Sequence, residues 1–137
     1  MRKKELFTLY NHMRILVEEK YKVNLRCVKL MTTKGKMTYQ NSDAGVAYRP
    51  HIILNTKGLR NIVRQQMKIK KKKYKNVDEA TVYYRANARL IIHELIHVAL
   101  WMKGKEKSEG FIMNQERLCM KILLKRYKSF RLPYDRV

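Results

Sequence analysis

Apolar residues near the N-terminus recur at intervals of three and four, the spacing of one face of an α-helix. Between residues 3 and 20 these positions are Leu6, Leu9, Tyr10, Met13, Leu16 and Val17. The pattern changes over 23–30, where apolar and polar positions alternate as they do in a strand. The chain is therefore predicted to begin with an amphipathic helix that leads into a β-strand.

Turn-forming residues divide the next segment into short extended pieces. Residues 34–36 predict a turn, and 37–39 would form a hairpin with the preceding strand. After a second turn at 41–43, residues 46–54 are mainly apolar around Pro50. Proline has no backbone N–H and favours an edge position in a sheet. We expect a small sheet of three to four strands.

Helical patterns return after residue 55. Thr56 is a candidate N-cap, and the helix that follows has a basic continuation at 68–75. Its apolar positions are Leu59, Ile62, Val63 and Met67. The segment 68–75 is interpreted as a basic loop, either a solvated loop or an arm that contacts phosphates.

Capping signals bound the last two helices. Asn76 and Glu79 have the spacing of a capping box, so a helix should run from there to Met102, with Gly104 as its C-cap. Ser108 would cap a C-terminal helix that contains Phe111, Ile112, Leu118, Ile122 and Leu123. Regular structure should end near Pro133, within a short tail at 129–137. We predict one α+β domain over 1–137.

The charge of the chain is extreme for its size. There are 32 Lys and Arg against 11 Asp and Glu in 137 residues, a net charge of +21. Such a surface favours a polyanionic partner, and nucleic acid is the expected one, bound without sequence preference through its phosphates. DNA is the expected form.

Cysteine usage and hydropathy indicate a cytoplasmic protein. Cys27 and Cys119 are the two cysteines and form no CxxC pair, so neither a zinc ribbon nor a disulfide framework is predicted. The charged N-terminus lacks the apolar run of a secretory signal, and no segment is apolar for the length of a membrane span.

The most specific pattern is HExxH at residues 93–97, inside an apolar segment. Residues four apart on a helix lie one above the other, so His93 and His97 can direct nitrogens at one metal ion. Glu94 is the general acid/base in this motif. Burying these three side chains without a partner would cost several kcal/mol, which a bound zinc ion would offset. Hydrogen-bonded core histidines are the alternative.

A third protein ligand is needed, and no histidine follows His97. His12 is expected on a helix surface and His51 in a strand, which leaves a carboxylate, as in sites of two histidines and one glutamate. Glu109, at the start of the last helix, is favoured over Glu116. Cys119 is a weaker candidate, since a lone apolar-face cysteine usually belongs to the core.

The HExxH helix and the elements around it resemble a SprT-like (Spartan-type) metalloprotease domain, in a small phage or bacterial version. The matching features are the N-terminal helix, the strand 51–55, the helix 93–101 and the following Gly-containing turn. In that family a His-Gly pair supplies the third ligand, whereas this chain has Glu109-Gly110. A second resemblance is to ImmA/IrrE peptidases, in which a glutamate of the following helix, here Glu116, would be the ligand.

Both resemblances imply a zincin-like fold and peptide-bond hydrolysis, and the first also implies DNA-bound protein substrates. We therefore expect a zinc metallopeptidase that is cytoplasmic and associated with DNA. The alternative is a non-enzymatic nucleic-acid-binding domain with a structural or vestigial zinc site. A substrate strand would pair with the sheet edge near 46–54. Candidates for stabilising the oxyanion are Tyr48, Tyr83, Tyr84 and Tyr127.

Overall fold

Four helices and a three-stranded sheet make up a computed structural model that describes residues 3–33, 45–48, 51–105, 107–128, 131 and 135. The elements in chain order are α1 (Lys3–Tyr21), β1 (Lys29–Thr33), β2 (Gly45–Tyr48), β3 (His51–Asn55), α2 (Thr56–Lys73), α3 (Glu79–Met102) and α4 (Glu109–Arg126). This arrangement is compatible with the predicted α+β class. Within the described part of the chain, no helix is both long and apolar enough to cross a bilayer.

The sheet has the strand order β1-β3-β2, with β1 parallel and β2 antiparallel to β3. The predicted edge position near residues 46–54 agrees with β2, which is an edge strand of the described sheet, but it is wrong for β3, because β1 and β2 pair with the two sides of β3. The predicted docking of a substrate strand therefore does not apply to β3. Its central place agrees with its burial, since Ile52 and Leu54 are fully buried.

Strand β1 begins later than the alternation at 23–30 predicted. Residues 23–28 lie outside regular strands, and Tyr10 fixes this segment by donating its hydroxyl hydrogen to the carbonyl of Val28 at 2.6 Å. Burial raises the pKa of Tyr10 to about 12, so the phenol stays protonated as a donor. The predicted hairpin strand at 37–39 lies outside the described residues.

Helix α2 is longer than the sequence predicted and begins one residue earlier. Asn55, rather than Thr56, is the N-cap, and its side chain accepts a hydrogen bond from the backbone N–H of Gly58. The helix continues to Lys73, so the expectation of a basic loop at 68–75 is wrong for most of that segment. Lysine has a good helix propensity, and lysines near a helix C-terminus interact favourably with its dipole.

Helix α3 lies at the centre of the molecule and contacts the other three helices and the sheet. Its N-cap is Asp78 rather than Asn76. Apolar residues on several faces are fully buried, among them Ile91, Ile92, Leu95, Ile96, Val98 and Ala99. Each such side chain larger than alanine contributes about 1.5–3 kcal/mol through burial. Most of the apolar positions of the HExxH segment are thus buried, while His93 and His97 are partly exposed.

The turn between α3 and α4 sets where α4 begins. Lys103 is the C-cap of α3, and Gly104 follows it with φ +67°, a backbone conformation that suits glycine. The N–H groups of Gly104 and Lys105 donate to the carbonyls of Trp101 and Leu100. Ser108 caps α4, as predicted, by accepting from the backbone N–H of Phe111.

Candidate metal centre

His93 and His97 lie one turn apart on α3, with ring centroids 5.0 Å apart. The two rings are inclined at 66° and so are not stacked face to face. Both side chains are partly exposed, whereas the helix around them is buried. The spacing of the motif therefore places two imidazoles together at the edge of the core.

The carboxylate of Glu109 contacts both imidazoles. Its Oε2 lies 3.1 Å from Nε2 of His93, and its Oε1 lies 2.7 Å from Nε2 of His97. The Glu109 side chain keeps 67% of its surface exposed, so burial does not force it into this position. Its place at the start of α4, after the Gly104 turn, brings it over the two histidines.

The three side chains form a group that could hold a metal ion. One ligand atom from each of His93, His97 and Glu109 lies within 4.8 Å of the others. Zinc binds nitrogen and carboxylate oxygen at about 2.0–2.2 Å, which places tetrahedral ligands roughly 3.4 Å apart. Two imidazoles and one carboxylate are donors that zinc accepts, and the contacts of 3.1 and 2.7 Å bring the Glu109 carboxylate within reach of an ion held by the two histidines.

Glu116 lies behind His93 and does not belong to this group. Its Oε1 is 3.1 Å from Nδ1 of His93, while Oε2 accepts a 2.5 Å hydrogen bond from Nε of Arg89. The Glu116 side chain is buried, with 7% of its surface exposed. A carboxylate on the second ring nitrogen orients the imidazole and selects its tautomer. Glu116 thus occupies the position of a supporting residue for a ligand.

Electrostatics favour the charged form of the His93 ring. Burial opposes the charged imidazolium, but the hydrogen bond to Glu116 and the nearby charges of Glu94 and Glu109 raise the pKa of His93. Burial likewise opposes the Glu116 carboxylate, but its hydrogen bonds with His93 and Arg89 lower its pKa. The carboxylates around His93 therefore favour positive charge on its ring.

Glu94 is buried next to this group, with 7% exposure, and lines a cleft between α2, α3 and α4. The cleft has a volume of about 640 Å³ and also reaches His93 and Glu116. His97 and Glu109 do not line this cleft, which therefore meets the three-residue group only at His93. The Glu94 carboxylate can accept or donate a proton toward a ligand in the cleft.

Other residues considered from the sequence lie elsewhere. Cys119 is fully buried in the core, and burial raises the pKa of its thiol, which disfavours the thiolate that metals bind. His12 is exposed beside Tyr127. His51 lies in β3, and within the described residues its buried Nδ1 has no hydrogen-bond partner.

The described tyrosines proposed for the oxyanion lie away from the three metal-ligand candidates. Tyr84 donates to the carboxylate of Glu5 at 2.7 Å, and Tyr84 and Tyr127 line a separate pocket between α1 and α3. Tyr83 packs against the small cluster of Val63, Met67 and Val82. The side chain of Tyr48 lies outside the described residues.

Sequence reasoning did not identify Arg89. This residue precedes His93 by one turn and contacts the supporting carboxylate of Glu116. The signal was available, because an arginine four residues before a ligand histidine shares its helix face.

Comparisons with protein-family models, curated proteins and solved structures gave no match to this chain.

Proposed function

We propose that the chain is a zinc-dependent metallopeptidase with His93, His97 and Glu109 as metal ligands and Glu94 as general acid/base. The observation that carries this proposal is the convergence of both motif histidines on Glu109 beside a buried Glu94. The SprT-like resemblance of the sequence supports the same activity and a zincin-like fold. Glu109 would take the place of that family's third histidine.

The side chains divide the chemical work between them. When bound, zinc supplies Lewis-acid activation of a water molecule and of a substrate carbonyl. Glu94 accepts the proton of the attacking water and delivers it to the leaving amine. Glu116 holds the His93 ring in place through Nδ1, which leaves Nε2 for the metal. Glu109 would complete a site of two histidines and one carboxylate.

A basic stripe on α2 supports the proposal that the substrates are proteins on DNA. The stripe consists of Lys57, Arg60, Arg64, Lys68 and Lys71, all of them exposed. Their spacing of three or four residues places them on one side of the helix over about 21 Å. Such a row of cations suits phosphate contacts without base recognition. It follows from this proposal that the protein is cytoplasmic and associated with DNA.

Helix α2 also connects the stripe with the metal centre. Leu59, Ile62, Gln66 and Lys70 of the same helix line the cleft that reaches His93 and Glu94. A helix with its side chains is about 10–12 Å across. DNA held on the stripe would thus lie close to the cleft, and proteins bound to that DNA would be concentrated there.

The basic stripe also favours a second function, a nucleic-acid-binding module in which the metal has only a structural role. Glu94→Gln separates the two functions, because the substitution removes the general base but preserves the size of the side chain. Zinc-loaded wild-type and variant protein would be incubated with a DNA-bound protein substrate. We expect cleavage by the wild type alone, with one zinc ion per chain in both. DNA binding by both proteins without cleavage by either would favour the binding module.

A further inference from the structure

The cleft between α2, α3 and α4 combines an apolar interior with a basic rim. Leu59, Val82, Leu90 and Met120 are among the apolar side chains that line it. Arg89, Arg117 and Lys121 also line it and are exposed, and Arg89 contacts Glu116. A ligand that matches this cleft chemically would carry both a hydrocarbon group and an anionic group.

Two of the basic side chains that line the cleft form no ion pair within the described residues. Arg117 and Lys121 lie one turn apart on α4 and are exposed, and they form no ion pair in that part of the chain. Side chains four apart on a helix lie on the same face, so both can reach one anion.

Arg89 is held in a defined orientation. Its Nε donates to the buried carboxylate of Glu116, while 53% of the arginine side chain remains exposed. The terminal nitrogens of its guanidinium group have no hydrogen-bond partner among the described residues. An arginine fixed at one end and open at the other is suited to a carboxylate, which it can bind through two parallel hydrogen bonds.

We propose that this cleft is a substrate subsite for a carboxylate, with Arg89, Arg117 and Lys121 as specificity-determining residues. The inference rests on the proposed peptidase function and names its substrate preference. Arg89 and His93 are one turn apart, about 6 Å along α3. This is the length of about two residues of extended peptide. The carboxylate would therefore lie about two residues from the scissile bond.

A peptide fits the cleft better than a nucleic acid does. The volume of about 640 Å³ accommodates a few side chains, and the apolar interior would not solvate a phosphodiester backbone. The carboxylate has two possible sources, an acidic side chain or the C-terminus of the substrate. Both would meet the same three basic groups, and the experiment distinguishes between them.

The test measures binding rather than cleavage, so it does not depend on catalysis. Labelled peptides would be titrated by fluorescence anisotropy into zinc-loaded Glu94→Gln protein. The probes are a leucine- and glutamate-containing peptide with an amidated C-terminus, its glutamine counterpart, and that counterpart with a free C-terminus. A single-stranded oligonucleotide serves as the competing anion. One double variant carries Arg117→Gln and Lys121→Gln. The control double variant carries Lys125→Gln and Lys128→Gln, which remove the same charge from exposed positions that do not line the cleft.

We expect the Arg117→Gln, Lys121→Gln double substitution to lower the affinity for one of the two carboxylate peptides by about tenfold or more. Each charge contributes about 1 kcal/mol at contact distance even in water. The control pair should change that affinity by less than about threefold, as expected for charges screened beyond the Debye length. The peptide that responds identifies the source of the carboxylate. Equal losses in the two pairs, or a larger loss for the oligonucleotide than for the peptides, would overturn the proposal. If binding follows the expected pattern but wild-type protein never cleaves, the peptidase function fails while the subsite stands.

Discussion

The two ring nitrogens of His93 face two different carboxylates, with Glu116 at 3.1 Å from Nδ1 and Glu109 on the side of Nε2. Glu116 is buried and also bonded to Arg89, whereas Glu109 is exposed and bridges to His97. These different surroundings support the proposal that Glu109, which the sequence already favoured, is the metal ligand and that Glu116 supports His93.

Glu116→Gln should weaken zinc binding without abolishing it. The amide can still hydrogen-bond to His93, but it lacks the charge that increases the basicity of the imidazole. We expect a loss of about 10–100-fold in zinc affinity, the usual effect of changing such a partner. Competition with a chromophoric chelator measures this, and thermal unfolding of the metal-free variant checks that the fold is intact. If Glu116→Gln removed zinc entirely while Glu109→Ala retained it, the assignment of the two residues would have to be reversed.

Zinc should stabilise the folded protein by mass action. The three ligands come together only in the folded chain, so zinc binds the native state in preference to the unfolded one. At a free zinc concentration of about 100 times Kd, the gain is about 2.7 kcal/mol. Calorimetry measures this stabilisation as a rise in Tm when zinc is added and a fall in Tm when a chelator removes it. A His97→Ala variant, which lacks one ligand, should show a much smaller rise.

Gly104 and Gly110 offer a matched test of the turn that positions Glu109. Gly104 has φ +67°, and a Cβ added there would meet no atom within 4 Å. Alanine at this position would therefore be strained by the backbone conformation alone. We expect Gly104→Ala to cost about 1–2 kcal/mol in the free energy of unfolding. Gly110 lies inside α4, and an added Cβ would approach only the Ser108 hydroxyl, at 4.0 Å. Gly110→Ala should be neutral or stabilise by up to about 1 kcal/mol. Denaturant unfolding compares the two, and an equal effect of both would contradict the role given to Gly104.

The basic stripe predicts how DNA binding depends on salt. Replacing Arg60, Arg64 and Lys68 with glutamine should lower the slope of log K against log salt by about 3, since each lost phosphate contact removes about one unit. Replacing three exposed cations of another region, Lys22, Arg26 and Lys29, provides a control with the same net charge. Fluorescence anisotropy over a range of salt concentrations measures both slopes. A similar reduction in the control would mean that DNA contacts are spread over the whole surface.

Local patterns predicted the helices well because helix periodicity and capping are properties of neighbouring residues. The α3 helix, its burial and the Ser108 cap of α4 follow from spacing along the chain. The parallel pairing of β1 with β3 could not be predicted in this way, because it depends on contacts between residues more than 20 positions apart. The lysine-rich end of α2 was wrongly predicted as a loop, although lysine has a good helix propensity.

The same distinction applies to the metal centre. His93, Glu94 and His97 were found from the sequence because their geometry is fixed within one helix. The choice of Glu109 over Glu116 depends on how α4 packs against α3, which spacing alone does not define. Spacing places Arg89 on the helix face of His93, but its contact with Glu116 joins two helices and does not follow from spacing.

The zinc content of the purified protein tests the proposed metal centre most directly. Native mass spectrometry after zinc loading should find one zinc ion per wild-type chain and none, or only a small fraction, in Glu109→Ala. Glu79→Ala is the matched control, because Glu79 is also an exposed glutamate in the first turn of a helix and its loss removes the same dipole interaction. That variant should retain one zinc ion. Wild-type protein that binds no zinc, or Glu109→Ala protein that binds it as tightly as the wild type, would contradict the assignment of His93, His97 and Glu109 as the metal site.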